Sequence, residues 1–229
     1  MQTEFKLLVF DWDGTLMDSE ARILACMQAA AKDLGLAVPS DASVRNIIGL
    51  GLREAVTGLI PDADAVLIER VAERYRIHFL DQNQTPSPLF AGAEAVLREL
   101  HAQGYLLAVA TGKGRRGLDK VLADTGFHRL FHATRCADET FSKPHPEMLL
   151  QLMDELGASG EETLMIGDTE YDLQMANNAR ARGLAVSYGV HERERLLRHD
   201  PVGCLDDIRD LIHWLEQRRH PVRALEEAA

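Results

Sequence analysis

Asp11 and Asp13 flank a single residue, Trp12, at the end of an apolar run, and Gly14-Thr15-Leu16 follows. In extended backbone, residues i and i+2 point the same way, so both carboxylates are expected to face one cleft. Gly14 permits a sharp turn and lets its amide approach an anion closely. Two acids this close repel each other unless a cation or a shared proton intervenes. A second acidic stretch, Gly167-Asp168-Thr169-Glu170-Tyr171-Asp172, follows the apolar run Thr163–Ile166. Asp168 and Asp172, four apart, are predicted on one face of a first helical turn. The four carboxylates together form the hard-oxygen donor set that magnesium prefers.

Two further stretches carry complementary groups. Thr111-Gly112-Lys113 follows a third apolar run, and its hydroxyl and amides suit phosphate oxygens. Lys143, within Ser142-Lys143-Pro144-His145-Pro146, would offset charge among the carboxylates and stabilise a phosphoryl group. Taken singly, these features have plainer uses. Acids at a helix start complement the helix dipole, and an isolated lysine is usually solvated. Residues 112–117 also spell GxGxxG. That dinucleotide fingerprint belongs on the first strand-to-helix turn, which here carries the acids, and no ribose-binding acid ends the next strand. The nine histidines show no HExxH spacing, and no GxSxG elbow occurs.

The positioning elements follow from hydrophobic pattern. Short β-rich runs at Lys6–Phe10, Tyr105–Ala110, Phe131–Arg135, Thr163–Ile166 and Leu184–Ser187 read as buried parallel strands. Ala93, Val96, Leu97 and Leu100 recur at helical spacing, as do Leu149, Leu152, Met153 and Leu156. Gly104 and Gly157 mark the ends of those helices, and Pro144 and Pro146 suit the first turn of the second. Strands alternating with helices imply an α/β fold with a doubly wound, mostly parallel sheet. About ninety residues between the first two strands lack a strand pattern. Ser19 is expected to cap a helix towards Leu34 and Gly35. Ile68, Val71, Ala72, Tyr75 and Phe79 form one face of another helix, and Gln82–Leu89 reads as a linker. Residues 18–84 are therefore expected to be an all-helical insertion in a core of residues 1–17 and 85–229, with a frayed tail over about 218–229.

The chain has 229 residues, 46% hydrophobic and 27% charged, so wholesale disorder is excluded and a sizeable core is available. A net charge of −11 argues against a nucleic-acid binder or a polybasic membrane-surface protein. Residues 1–8 lack the pattern of a signal peptide, and no apolar run approaches a membrane span. Cys26, Cys136 and Cys204 are widely spaced and odd in number, as expected of reduced thiols in a cytoplasmic protein.

In order, DWDGTLMDS, ATGK, SKPHPEM and GDTEYD resemble the four motifs of the haloacid dehalogenase-type hydrolases. The likeness covers nearly the whole chain and is nearest to the phosphoglycolate phosphatase-like branch, whose helical cap lies between the first two motifs. It implies a phosphatase for a small phosphorylated metabolite such as phosphoglycolate or a sugar phosphate, with Mg2+ as cofactor. It also implies a monomer or homodimer without nucleic-acid or membrane partners. Asp11 would be the nucleophile that forms an aspartyl-phosphate, and Asp13 the general acid and then base. Magnesium would be held by the Asp11 carboxylate, the Asp13 backbone carbonyl and Asp168. Asp172 would support its water shell or orient Lys143. Thr111, Gly112 and Lys143 would hold the phosphoryl group.

Departures narrow the choice. Asp13 argues against a dehalogenase. Lys32, the sole lysine of the expected cap, lies within its first helix, which argues against a Schiff-base phosphonatase. Gly49, Gly51 and Arg53 sit where relatives carry a specificity loop, and Arg53 would contact a substrate carboxylate bidentately. An exposed arginine on a flexible connection is an equal reading. A phosphomutase of the β-phosphoglucomutase type shares all four motifs and stays open, as does, less strongly, a non-catalytic binding or regulatory protein of the same fold.

Overall fold

The computed structural model describes residues 5–219. The expected frayed tail beyond Arg219 lies outside the described residues. Among the described residues six parallel strands form one sheet: β1 (Leu7–Phe10), β2 (Leu106–Thr111), β3 (Ala133–Cys136), β4 (Thr163–Gly167), β5 (Arg182–Val186) and β6 (Cys204–Leu205). Their order is β3-β2-β1-β4-β5-β6, the doubly wound arrangement whose ligand crevice opens beside the central strand, where the winding reverses. The five expected strands recur with ends shifted by up to two residues. The sixth, only two residues long, carries too little pattern to be read from sequence.

Strand periodicity explains the layers. Leu8 and Phe10 of β1, with Leu107 and Val109 of β2 and Leu164 and Ile166 of β4, enter one core cluster. The alternate residues Leu7, Val9, Ala108, Ala110 and Met165 enter the other. Because successive side chains point to opposite faces, a strand buried on both faces must be apolar throughout, and β1 is. The first face is covered by α5 (Ala93–Ala102), α6 (Arg115–Thr125) and α10 (Asp210–Arg219). The second is covered by α7 (Glu147–Leu156) and α8 (Glu170–Asn178). Ala93, Val96, Leu97 and Leu100, the expected face of α5, are all buried. A short α9 (Arg193–Leu197) packs Leu196 against Leu173 and Ala185.

Between β1 and α5 lie only helices: α1 (Glu20–Asp33), α2 (Asp41–Ile47), α3 (Leu52–Leu59), α4 (Ala65–Ile77) and a π-helical turn, His78–Gln82. They enclose their own apolar cluster around Ile23, Met27, Val44, Ile47, Val56 and Val71. The chain leaves and re-enters the sheet side by side, where Met17 bridges Leu89 and the Asp18 amide donates to the Pro88 carbonyl.

Three local expectations are revised. Ser19 stands before α1 but makes no side-chain cap bond, because its hydroxyl donates to Asp13 instead. The prolines precede α7 rather than open its first turn, and Lys143–Pro144 is cis. Asp168 lies in the loop before α8 rather than on its first turn. Among the described residues no helix is long and apolar enough to cross a membrane.

Candidate active site

The site is assembled at the carboxyl ends of the three central strands. Asp11 directly follows β1, and its amide donates to the Ile166 carbonyl at 2.9 Å, extending the pairing with β4 by one residue. Asp13 lies in the turn that follows. That turn needs Gly14: its φ is +84°, and a side chain there would come within 2.1 Å of Asp168 Oδ2. Thr111 ends β2, and Asp168 follows β4. Asp11, Thr111, Lys143, Asp168 and Asp172 are all buried.

Lys143 links two of the carboxylates. Its Nζ lies 2.8 Å from Asp11 Oδ1 and 2.6 Å from Asp172 Oδ1. Burial alone would lower its pKa, but Asp11 and Asp172 outweigh that and hold the ammonium above its ordinary range. Asp172 spends its other oxygen on the helix start. Oδ2 accepts from the Thr169 amide and hydroxyl at 3.1 and 2.7 Å, closing a capping box on α8. Asp172 therefore positions Lys143 from the third residue of a helix.

Asp168 is fixed from two sides. Thr15 Oγ1 donates to its Oδ1 at 2.8 Å, and the Val190 amide donates to its Oδ2 at 2.8 Å. Burial, reinforced by the charges of Asp11 and Asp172, raises its pKa well above the usual carboxylate range. Burial likewise pushes the Asp11 carboxyl up to about 7, with Lys143 opposing and Asp172 and Asp13 reinforcing. Apart from the Lys143 ammonium beside Oδ1, neither Asp11 oxygen has a hydrogen-bond partner among the described residues. Buried carboxylate oxygens without partners are costly unless something else engages them.

These residues fit a cation. Oxygens of Asp11, Asp168 and Asp172 all lie within 4.8 Å of one another. Asp172 is committed to the Lys143 ammonium and, with two donors on Oδ2, to its helix cap, whereas each Asp168 oxygen accepts a single bond and keeps a lone pair, so Asp11 and Asp168 are the side chains left to ligate. An all-oxygen set is suited to magnesium.

Asp13 faces the cavity above. Ser19 Oγ donates to its Oδ1 at 2.5 Å, and Lys113 Nζ lies 2.8 Å from the same oxygen. The other oxygen, Oδ2, has no hydrogen-bond partner among the described residues. Lys113 also sits 4.5 Å from the centre of the Phe79 ring, so it joins Asp13 to the helical segment. Thr111 Oγ1 accepts from the Lys113 amide at 3.2 Å, leaving its hydroxyl proton free for an anion.

The loop between α2 and α3 closes over this floor. A side chain at Gly112 would meet the Leu50 carbonyl oxygen at 2.4 Å and that of Gly49 at 2.6 Å, so the two segments nearly touch. The Gly51 amide donates to Ser142 Oγ at 2.7 Å, and Tyr171 Oη donates to the Asn46 carbonyl at 2.6 Å. A cavity of about 160 Å³ lies between Asp11 and Asp13 below and the helices above.

The chain matches the haloacid dehalogenase-like hydrolases over residues 8–186. It belongs to that family. This hydrolase is 34% identical to "Probable phosphatase IndB" of Dickeya dadantii over 212 residues, 90% of this chain and 91% of the relative. It is 30% identical to the phosphoglycolate phosphatase of Aliivibrio fischeri, covering 96% and 100% of the two chains. A hydrolase from Pseudomonas syringae superposes with a TM-score of 0.84 at 23% identity, over 92% of this chain and 97% of the other, which shows the shared fold.

Of the residues singled out from sequence, Asp11, Asp13, Thr111, Gly112, Lys143, Asp168 and Asp172 gather at these strand ends in this hydrolase. Gly49 reaches the floor through its backbone, and Gly51 is tied to Ser142. Arg53 does not join them: it pairs with Glu69, its side chain is 57% exposed, and it is not among the cavity-lining residues. Sequence inspection passed over Thr15, Lys113, Tyr171 and Val190 as members of the site. Lys113 and Tyr171 stand inside recognised motifs, whereas Val190 contributes only an amide, which no side-chain pattern reveals.

Proposed function

We propose that this hydrolase is a magnesium-dependent phosphatase that cleaves a small phosphorylated metabolite through an aspartyl-phosphate on Asp11. The coarser class, phosphoric monoester hydrolase, follows from its family and from relatives named as phosphatases over essentially their full length. The observation that carries the finer reading is the Asp11 carboxylate, buried at the cavity floor with Oδ1 facing only the Lys143 ammonium and Oδ2 without a partner among the described residues.

In the first half-reaction an Asp11 oxygen attacks phosphorus as the ester P–O bond breaks, and protonated Asp13 gives its proton to the leaving oxygen. In the second, the Asp13 carboxylate takes a proton from water as that water attacks phosphorus, and the bond to Asp11 breaks to release phosphate. Asp13 Oδ2 is the oxygen available for both transfers. Lys143 and the Thr111 hydroxyl, with the Gly112 amide, would hold the phosphoryl oxygens. When bound, magnesium would neutralise phosphoryl charge, with Asp11, the Asp13 backbone carbonyl and Asp168 holding it. Residues 18–84 would serve as a cap over a core of 1–17 and 85–229, excluding bulk water when the loop at Gly49–Gly51 is down.

The test is phosphate release from p-nitrophenyl phosphate. Asp11→Asn is expected to lower kcat by at least about a thousandfold while circular dichroism stays unchanged. EDTA is expected to suppress the wild-type rate and magnesium to restore it. Turnover retained in Asp11→Asn would refute the nucleophile, and isomerised sugar phosphate without net phosphate release would replace the hydrolase reading with a mutase.

A further inference from the structure

The cavity above Asp11 and Asp13 is walled mainly by carbon. Ile23, Met27, Ile47, Leu52, Tyr75 and Phe79 line it, and the Tyr75 and Phe79 rings stack with centroids 5.5 Å apart. Its one buried cation is engaged, and the other two lie towards solvent. Lys113 is held by Asp13, and Arg76 lies 3.4 Å from Glu73. Arg116 is exposed and keeps its hydration. A carboxylate or a sugar seated here would lose water against side chains that cannot replace it. An aliphatic cavity of roughly 150 Å³ admits a guest the size of benzene, and this one measures about 160 Å³.

From this lining we infer that the substrate is a phosphate monoester whose leaving group is apolar and about as large as one aromatic ring. The inference rests on the phosphatase reading above and supplies its substrate class. The phosphoryl end meets Asp11, Thr111 and Lys143, and the ring fills the space between α1, α2 and α4. Selectivity against phosphoglycolate and sugar phosphates then arises from desolvation, since their polar groups would face Ile23, Met27 and Ile47.

The test compares benzyl phosphate with phosphoglycolate and glucose 6-phosphate, using the full chain with magnesium. All three expel an alkoxide, so differences in leaving-group reactivity are small. The expected kcat/KM favours benzyl phosphate by about tenfold or more, because even one methylene in an apolar pocket is worth about that much. Leu52→Gln, at a partly exposed lining position, is expected to narrow the preference about threefold. Equal or better turnover of phosphoglycolate or glucose 6-phosphate would overturn the inference. Calorimetric binding of benzylphosphonate against phosphonoacetate separates the two readings, because it needs no turnover. Tighter benzylphosphonate binding with no ester hydrolysed would sink the phosphatase reading and keep the pocket. Ester hydrolysis with phosphonoacetate bound equally well or better, or no binding of either phosphonate, would sink the pocket.

Discussion

Replacing Lys143 by methionine keeps most of the side-chain volume and removes the charge. In the native protein its Nζ lies 2.8 Å from Asp11 and 2.6 Å from Asp172, and all three side chains are essentially inaccessible to water. Deleting one partner of a buried ion pair leaves an uncompensated charge and costs about 3–5 kcal/mol. Here two carboxylates lose the same ammonium, so the loss is expected at the upper end of that range. For a chain of this length it corresponds to a fall in Tm of roughly 6–20 °C. The measurement is urea and thermal unfolding in EDTA, where no cation replaces the lost charge. Asp172→Asn supplies the second arm, because its oxygen can still accept from the Thr169 amide. In the double-mutant cycle, Lys143 and Asp172 are expected to couple by about 1 kcal/mol or more. A Lys143→Met loss below about 1 kcal/mol, or additive single effects, would refute the view that this lysine balances the buried acids.

Other perturbations test the closed geometry. Gly112→Ala places a methyl group against the backbone oxygens of Gly49 and Leu50, which cannot rotate away, so the loop must lift. Its kcat/KM for p-nitrophenyl phosphate is expected to fall about tenfold to a hundredfold, and kinetics within twofold of wild type would show that the loop need not close there. Tyr171→Phe removes the bond to the Asn46 carbonyl but keeps the ring against His191. About 1 kcal/mol of closure energy is at stake, so KM is expected to rise about fivefold, and an unchanged KM would discount the latch. Arg53→Ala breaks only an exposed pair with Glu69. Stability should change by less than about 1 kcal/mol, and KM for phosphoglycolate and for an aryl phosphate should respond alike; a selective rise for phosphoglycolate would return Arg53 to the site.

The core fold was legible because β1, β2 and β4 are buried on both faces, and such strands must be apolar throughout. The four motifs were legible because each stands directly after one of these runs or before a helix. Arg53 illustrates the limit. Its residue type suggested a carboxylate contact, yet a neighbouring helix offers Glu69, and nothing local in the sequence distinguishes the two partners. Ser19 is similar, since the same hydroxyl serves as a helix cap or as a ligand of Asp13, and only the turn at Gly14 decides which.

By itself the sequence determined the strand-and-helix alternation, the place of the helical segment, and the residue types able to carry phosphoryl transfer. Those depend on periodicity and near neighbours, which the chain carries locally. The tertiary structure alone decided that Lys143 lies between Asp11 and Asp172, that Val190 and Thr15 hold Asp168, and that the cavity is lined by α1, α2 and α4. Each of these joins residues far apart in the chain, and their meeting depends on strand order and on how the helices pack over the sheet. The same packing changes the chemical expectation. An arginine near the loop between α2 and α3 suggested a charged substrate, whereas the assembled walls offer Ile23, Met27, Ile47 and Phe79.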